Sequence, residues 1–243
     1  MRPRKKSRKF SEAEFEKLLK EVSQDITALH LHDHVFTGIV ENLQRFPSVA
    51  DNFPCFFGAF YSAMRTDLVI RLGRIYDPEG TGRESCTLAR CLHVPRDNAQ
   101  FFTDQAITAR LREDYRKANP NYLTAHRVDH SQITNDLDRI ERNRKRLVNL
   151  RHKLYAHKDL ETVLSGKRDG FLSSHDEVRK LIQLAHEIWN RCSFTWSAST
   201  SSENIFGQDD YRRLFNCLRR GMKTKSFAEI HRWDRVHKRR QRG

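Results

Sequence analysis

The 243-residue chain is poor in the residues that interrupt helices: ten glycines and six prolines. So few breakers exclude a turn-rich all-β fold and point to long helices. It has five cysteines, at 55, 86, 91, 192 and 217, and no C-x-x-C pair. An odd set without a framework excludes a disulfide scaffold and points to reduced thiols, as in a cytoplasm. No apolar run approaches the length of a membrane span, and the basic N-terminal stretch lacks the apolar segment of a signal peptide. The expectation is therefore a cytoplasmic protein with no membrane partner. Gly-rich phosphate loops, a Ser-His-Asp order and paired acidic motifs are also missing, so no cofactor is expected.

What is abundant is positive charge. The formal net charge is +14. Residues 1–10 carry six basic residues, among them Arg4, Lys5 and Lys6, and no acid. Residues 232–243 carry six more, including Arg239 and Arg240, against Asp234 alone. The ends thus hold +6 and +5, leaving +3 for everything between. Basic arms of this kind attract a polyanion such as RNA through sequence-blind electrostatics, and they also serve as solubilising tails.

Hydrophobic spacing places the helices. Ser11 and Glu14 form a capping-box signature, followed by a stripe of Phe15, Leu18, Leu19, Val22, Ile26 and Leu29 that runs on to about Phe46, where Pro47 stops it. A second helix is predicted over residues 52–76, with the stripe Phe56, Phe60, Met64, Leu68, Leu72 and Ile75. Ser85 is placed as the cap of a short helix over residues 86–93, and Pro95 as the opening of a helical stretch to about Ala118. A long helix is predicted over residues 132–156, with Ile133, Leu137, Ile140, Leu147, Leu150 and Leu154 on its buried side. Ser174 and Glu177 open another helix, whose stripe is Val178, Leu181, Ile182, Ala185, Ile188 and Trp189. "SASTSSEN" (197–204) reads as a linker to short helices near 211–220 and 227–238. The fold class is all-α, a bundle of long antiparallel helices with a short helical C-terminal appendage. The expected organisation is a basic arm over residues 1–10, a helical domain over 11–200 and the appendage over 203–243.

The stretch with chemistry in it is "NLRHKLYAHKDL" (149–160). Arg151 lies four residues after Leu147 and three before Leu154, on or beside the apolar stripe, with Arg144 seven residues earlier on nearly the same face. His157 follows six residues after Arg151, at an axial rise of roughly 9 Å and an angular offset of about 120°. One helix turns both towards a groove without making their tips converge. A two-fold dimer would gather two Arg–His sets around one cleft. Histidine titrates near neutrality and moves protons, while arginine offers fixed planar donors to phosphate oxygens. Together they suit RNA cleavage without a metal: the ribose 2′-hydroxyl attacks, His157 handles a proton, and Arg151 stabilises the developing charge. Tyr155 is four residues from Arg151, and His152 and Lys153 add polarity. The bland alternative is that Arg151 and His157 complement the negative end of the helix dipole.

"LRHKLYAHKD" resembles the R-x4-6-H signature of HEPN domains, all-α bundles found in RNases, toxins and phage-defence proteins. "DLVIRLGRIYDP" (67–78) resembles a second block of the AbiU-type abortive-infection subgroup, in the same order and at the same separation. The resemblance covers roughly residues 10–195. It implies a catalytic Arg151 and His157, with His152 at the polar position after the arginine; Tyr155 reaches the same site by its spacing from Arg151. It also implies a homodimer with the two motifs facing across the interface, and leaves room for a neutralising antitoxin or another defence-system partner. With the basic residues Lys153, Lys158, Arg144 and Arg74, and the arm residues named above, the expected substrate is RNA. The alternative reading is a helical nucleic-acid-binding or protein-interaction module without catalysis. Within the second block, Asp67 and Arg71 have the spacing of an intrahelical ion pair, or else Arg74 and Asp77 line the cleft. The cluster "HLHDH" (30–34) puts two histidines at i, i+4 but lacks a third ligand and the acid of zinc helices, so no metal is expected.

Overall fold

A computed structural model describes residues 10–77, 85–150, 175–202 and 207–223. Among these residues every regular element is helical. They are α1 (Glu12–Arg45), α2 (Pro47–Asn52), α3 (Pro54–Ile75), α4 (Leu88–Asp97), a 3-10 turn (Ala99–Phe102), α5 (Asp104–Arg110), α6 (Glu113–Ala118), α7 (Tyr122–Ala125), α8 (His130–Leu150), α9 (His175–Ser197) and α10 (Asp210–Met222). The all-α class stands.

The chain forms two compact units, each drawn from two segments: Met1–His30 with Arg65–Glu203, and Leu31–Met64 with Asn204–Gly243. The first has a core in which the predicted stripes of α1 and α9 are buried throughout, from Phe15 to Leu29 and from Val178 to Trp189. α1 starts where the capping box said. The Ser11 hydroxyl accepts from Glu14 N at 3.2 Å, and the Glu14 carboxylate accepts from Ser11 N at 2.9 Å. α8 contributes Ile133, Ile140 and Leu147 at seven-residue steps, and its first turn is capped by Asp129, which accepts from the amides of Ser131 and Gln132. Trp189 of α9 donates its indole N–H to the Leu19 carbonyl of α1 at 2.9 Å, so the two longest stripes meet through a hydrogen bond as well as apolar contact.

The second unit has its own small core. Ile39, Val49, Phe57, Tyr211 and Phe215 are buried in it. Phe57 and Phe215 stack at 5.8 Å between ring centroids. Gly38 lies directly under Tyr211: a Cβ there would come within 2.1–2.4 Å of the phenol ring, so the position has room only for a hydrogen.

Three predicted boundaries move. The helix predicted over residues 52–76 runs as α3 from Pro54, and the buried aromatic of its first turn is Phe57, while Phe56 stays 56 % exposed. A single stripe was the wrong premise, because α3 serves one core with Phe57 and the other with Leu68, Leu72 and Ile75. The cap of α4 is Thr87, whose hydroxyl accepts from Arg90 N at 3.2 Å, rather than Ser85. Pro95 sits inside α4, and residues 99–118 fold as three short helical pieces. Arg110 ties two of those pieces to α9. Its Nε donates to the Trp196 carbonyl at 2.7 Å, its two terminal nitrogens donate to the Phe101 carbonyl at 3.1 Å, and its guanidinium lies 3.7 Å from the Trp196 ring.

Candidate functional site

Of the predicted site residues, Arg74 and Arg144 are described. Arg151, His152, Lys153, Tyr155, His157 and Lys158, with the arm residues Arg4, Lys5, Lys6, Arg239 and Arg240, lie outside the described residues. The predicted helices over 227–238 and the last turn of 132–156 lie outside them too.

What is described is the frame leading into the motif. α8 runs to Leu150, immediately before Arg151 in the chain. Its buried side is apolar only in part. Asp136 is 1 % exposed and takes both Arg191 of α9, with Nε–Oδ2 at 3.0 Å and Nη2–Oδ1 at 2.7 Å, and Arg139, with Nη1–Oδ1 at 3.2 Å. Gln132 adds a hydrogen bond at 3.1 Å, and Arg139 reaches on to Glu187 of α9 at 3.2 Å. A buried carboxylate is costly unless its lone pairs are filled, and here bidentate arginine geometry fills them. The register of α8 against α9 is therefore fixed by charge as well as by shape.

The second motif block, at the end of α3, is held on three sides. Arg71 donates to Asp67 at 2.7 Å, the predicted i, i+4 pair, and to Asp25 of α1 at 3.2 Å. Arg74 pairs with the same Asp25. Tyr76, fully buried, donates its hydroxyl to the Leu181 carbonyl of α9 at 2.8 Å. Burial raises the Tyr76 phenol above its ordinary value, with Arg139 opposing and Glu187 reinforcing that shift, so it remains a neutral donor.

Asp77 links the two blocks through its electrostatic effect on Arg144. Arg144 of α8 donates to both oxygens of Glu141 at 2.6 Å, which lifts the guanidinium above its ordinary pKa and holds Glu141 below the usual carboxylate range. The Asp77 carboxylate raises Arg144 further. The end of "RLGRIYD" thus acts electrostatically on the helix that ends immediately before the R-x5-H stretch in the chain. Arg74 is turned to Asp25 on α1. Sequence reasoning missed Asp25, Asp136 and Arg191. The only available signal was an acid on or beside an apolar stripe, and nothing in the sequence says which distant arginine meets it.

Two of the "HLHDH" histidines are placed in separate units. His30 meets His186 edge-on at 4.7 Å within the first unit, and His34 lies 3.1 Å from Asp209 within the second. Among the described residues no helix is long and apolar enough to cross a membrane.

A family model, HEPN_AbiU2 (AbiU2), matches residues 12–232. No curated protein and no solved structure matches the chain.

Proposed function

The chain belongs to the AbiU2 family of HEPN proteins, and from that premise we propose that it is a metal-independent endoribonuclease acting in abortive infection. The observation that carries the reading is the pair Arg151 and His157, which follows in sequence directly on α8, the helix whose described end holds Arg144 beside Asp77 of the second family block. In the proposed reaction the ribose 2′-oxygen attacks phosphorus and the 5′-oxygen leaves. The products are a 2′,3′-cyclic phosphate and a 5′-hydroxyl. His157 transfers a proton, and Arg151 binds the non-bridging oxygens as negative charge grows on them. His152 and Tyr155 assist, and Lys153, Lys158 and the basic arms hold the RNA backbone, with Arg144 and Arg74, each paired with a carboxylate, contributing less. A second copy of the chain supplies the facing Arg–His set, and a neighbouring defence-system protein is the kind of partner that would restrain it.

The test is cleavage of a labelled single-stranded RNA in the presence of EDTA, by the wild type and by His157→Ala at matched oligomeric state. The expected result is cyclic-phosphate ends from the wild type and a loss of roughly 10²–10⁴-fold in the variant, the usual contribution of a positioned general acid–base. Equal cleavage by both proteins would overturn the assignment.

A further inference from the structure

The basic charge of the second unit is strongly asymmetric. Residues 31–64 carry three acids and one base, whereas residues 204–243 carry twelve bases and four acids, a net +8. Within that run the described helix is α10, which buries one side and leaves Leu214 exposed. Tyr211 and Phe215 are buried in the small core, and Leu218 and Met222 pack against it. Two of its arginines are engaged locally. Arg212 lies 3.3 Å from Asp209, and Arg219 lies 4.0 Å over the ring of Phe46. The side chains of Arg213, Arg220 and Lys223 are exposed, and among the described residues they make no hydrogen bond, ion pair or ring contact.

Arg213 and Arg220 are seven residues apart, so they share one side of the helix about 10 Å apart along its axis, and Lys223 extends the line at the C-terminus. Between the two arginines this side offers Asn216 and Cys217, both exposed and neither acidic. The macrodipole favours Arg220 and Lys223 at the C-terminal end of α10, but it does not explain Arg213. Arg213 stands near the N-terminal end of α10, where the macrodipole disfavours a cation. Three exposed cations in a row, none paired with a carboxylate among the described residues, suit a chain of phosphates.

We propose that the exposed side of α10, through Arg213, Arg220 and Lys223, is a docking surface for the phosphate backbone of single-stranded RNA. It lies in a segment to which neither motif block extends. A membrane surface fits less well, because an amphipathic helix binds lipid with its apolar face, and the apolar face of α10 is occupied by Phe57, Ile39 and Val49 of its own core. The proposal rests on RNA being the ligand of the activity proposed above, and it is read separately from cleavage.

The experiment uses the full chain and a fluorescent 2′-O-methyl oligoribonucleotide, which lacks the attacking hydroxyl and so reports binding alone. The combined Arg213→Glu, Arg220→Glu and Lys223→Glu variant should bind about tenfold or more weakly at low salt. Its plot of log affinity against log salt should be shallower by about two, as three lost phosphate contacts on a single strand require. Arg213→Gln with Arg220→Gln, a milder pair that leaves the core untouched, should lower the slope by about one. Unchanged affinity and slope in variants with wild-type melting would overturn the proposal. So would loss of binding to phosphatidylserine vesicles with RNA binding intact, which would assign the surface to membranes. Equal cleavage by wild type and His157→Ala would defeat the catalytic reading and leave this binding readout standing.

Discussion

Helices α8 and α10 are both rich in arginine, and they dispose of the charge in opposite ways. On α8, Arg139 is tied to Asp136 and Glu187, and Arg144 to Glu141 with Asp77 behind it. On α10, Arg213 and Arg220 face solvent without a partner among the described residues. The same residue type is framework in one unit and free cation in the other. Net charge therefore does not locate a polyanion surface. The carboxylates around each arginine do, because a paired guanidinium must break a salt bridge before it can bind a phosphate.

The largest effect should come from breaking the framework of α8. Asp136→Ala strips a buried carboxylate from Arg191 and Arg139 and leaves two cations beside a cavity. The expected loss is about 3–5 kcal/mol, measured by chemical denaturation. A loss under about 1 kcal/mol, the scale of an exposed pair, would mean the network contributes no more than surface ion pairs do.

The seat of α10 is the next place to strike. Gly38→Ala drives a methyl group into the Tyr211 ring, which is itself buried. Overpacking of this kind costs roughly 1–3 kcal/mol. The cooperative melt should shift down, and Tyr211→Ala in the same background should recover part of the lost fit. Tyr76→Phe probes the α3–α9 contact by removing the hydroxyl donor that the Leu181 carbonyl accepts from across the core. About 1–2 kcal/mol should be lost, and the melting temperature should fall accordingly.

The smallest stability effects sharpen the comparison most. Arg144→Ala should cost less than about 1 kcal/mol, since its partner Glu141 is 48 % exposed. Arg220→Ala should melt like the wild type. Yet of the two, Arg220→Ala should show the larger loss of affinity for the 2′-O-methyl probe. The reverse order would collapse the distinction between framework and free arginines. Thiol labelling gives a check on the core. Cys55, Cys86 and Cys217 are exposed, while Cys91 and Cys192 are buried. Burial pushes the Cys192 thiol up to about 12, so three of the five thiols should react in the native protein near pH 8 and all five in denaturant.

The sequence revealed most where a stripe stays within one core, as on α9 and on α1 from Phe15 to Leu29. The buried faces of α1 and α9, the capping box at Ser11 and the Asp67–Arg71 pair were all legible, because they follow from helical periodicity and contacts three or four residues apart. The failures share a cause. α3 contributes to two cores, so a stripe drawn through Phe56 misses Phe57. Thr87 caps α4, with Pro95 within it, because the buried Leu88, Cys91, Leu92 and Val94 set the start of the helix against the main core. The candidate site divides the same way. The R-x5-H stretch and "RIYD" stood out as local patterns, while Asp25, 46 residues from Arg71, and Arg191, 55 residues from Asp136, did not.

By itself the sequence determined the all-α class, the long amphipathic helices, the two family blocks and the excess of positive charge, since composition and periodicity are properties of neighbouring residues. Only the tertiary structure decided that residues 207–223 complete a small core with residues 35–60. It also decided which of the described arginines are paired with carboxylates and which are not. Those outcomes depend on long-range burial, where an unpaired charge is too costly to keep and a distant partner is chosen by the fold.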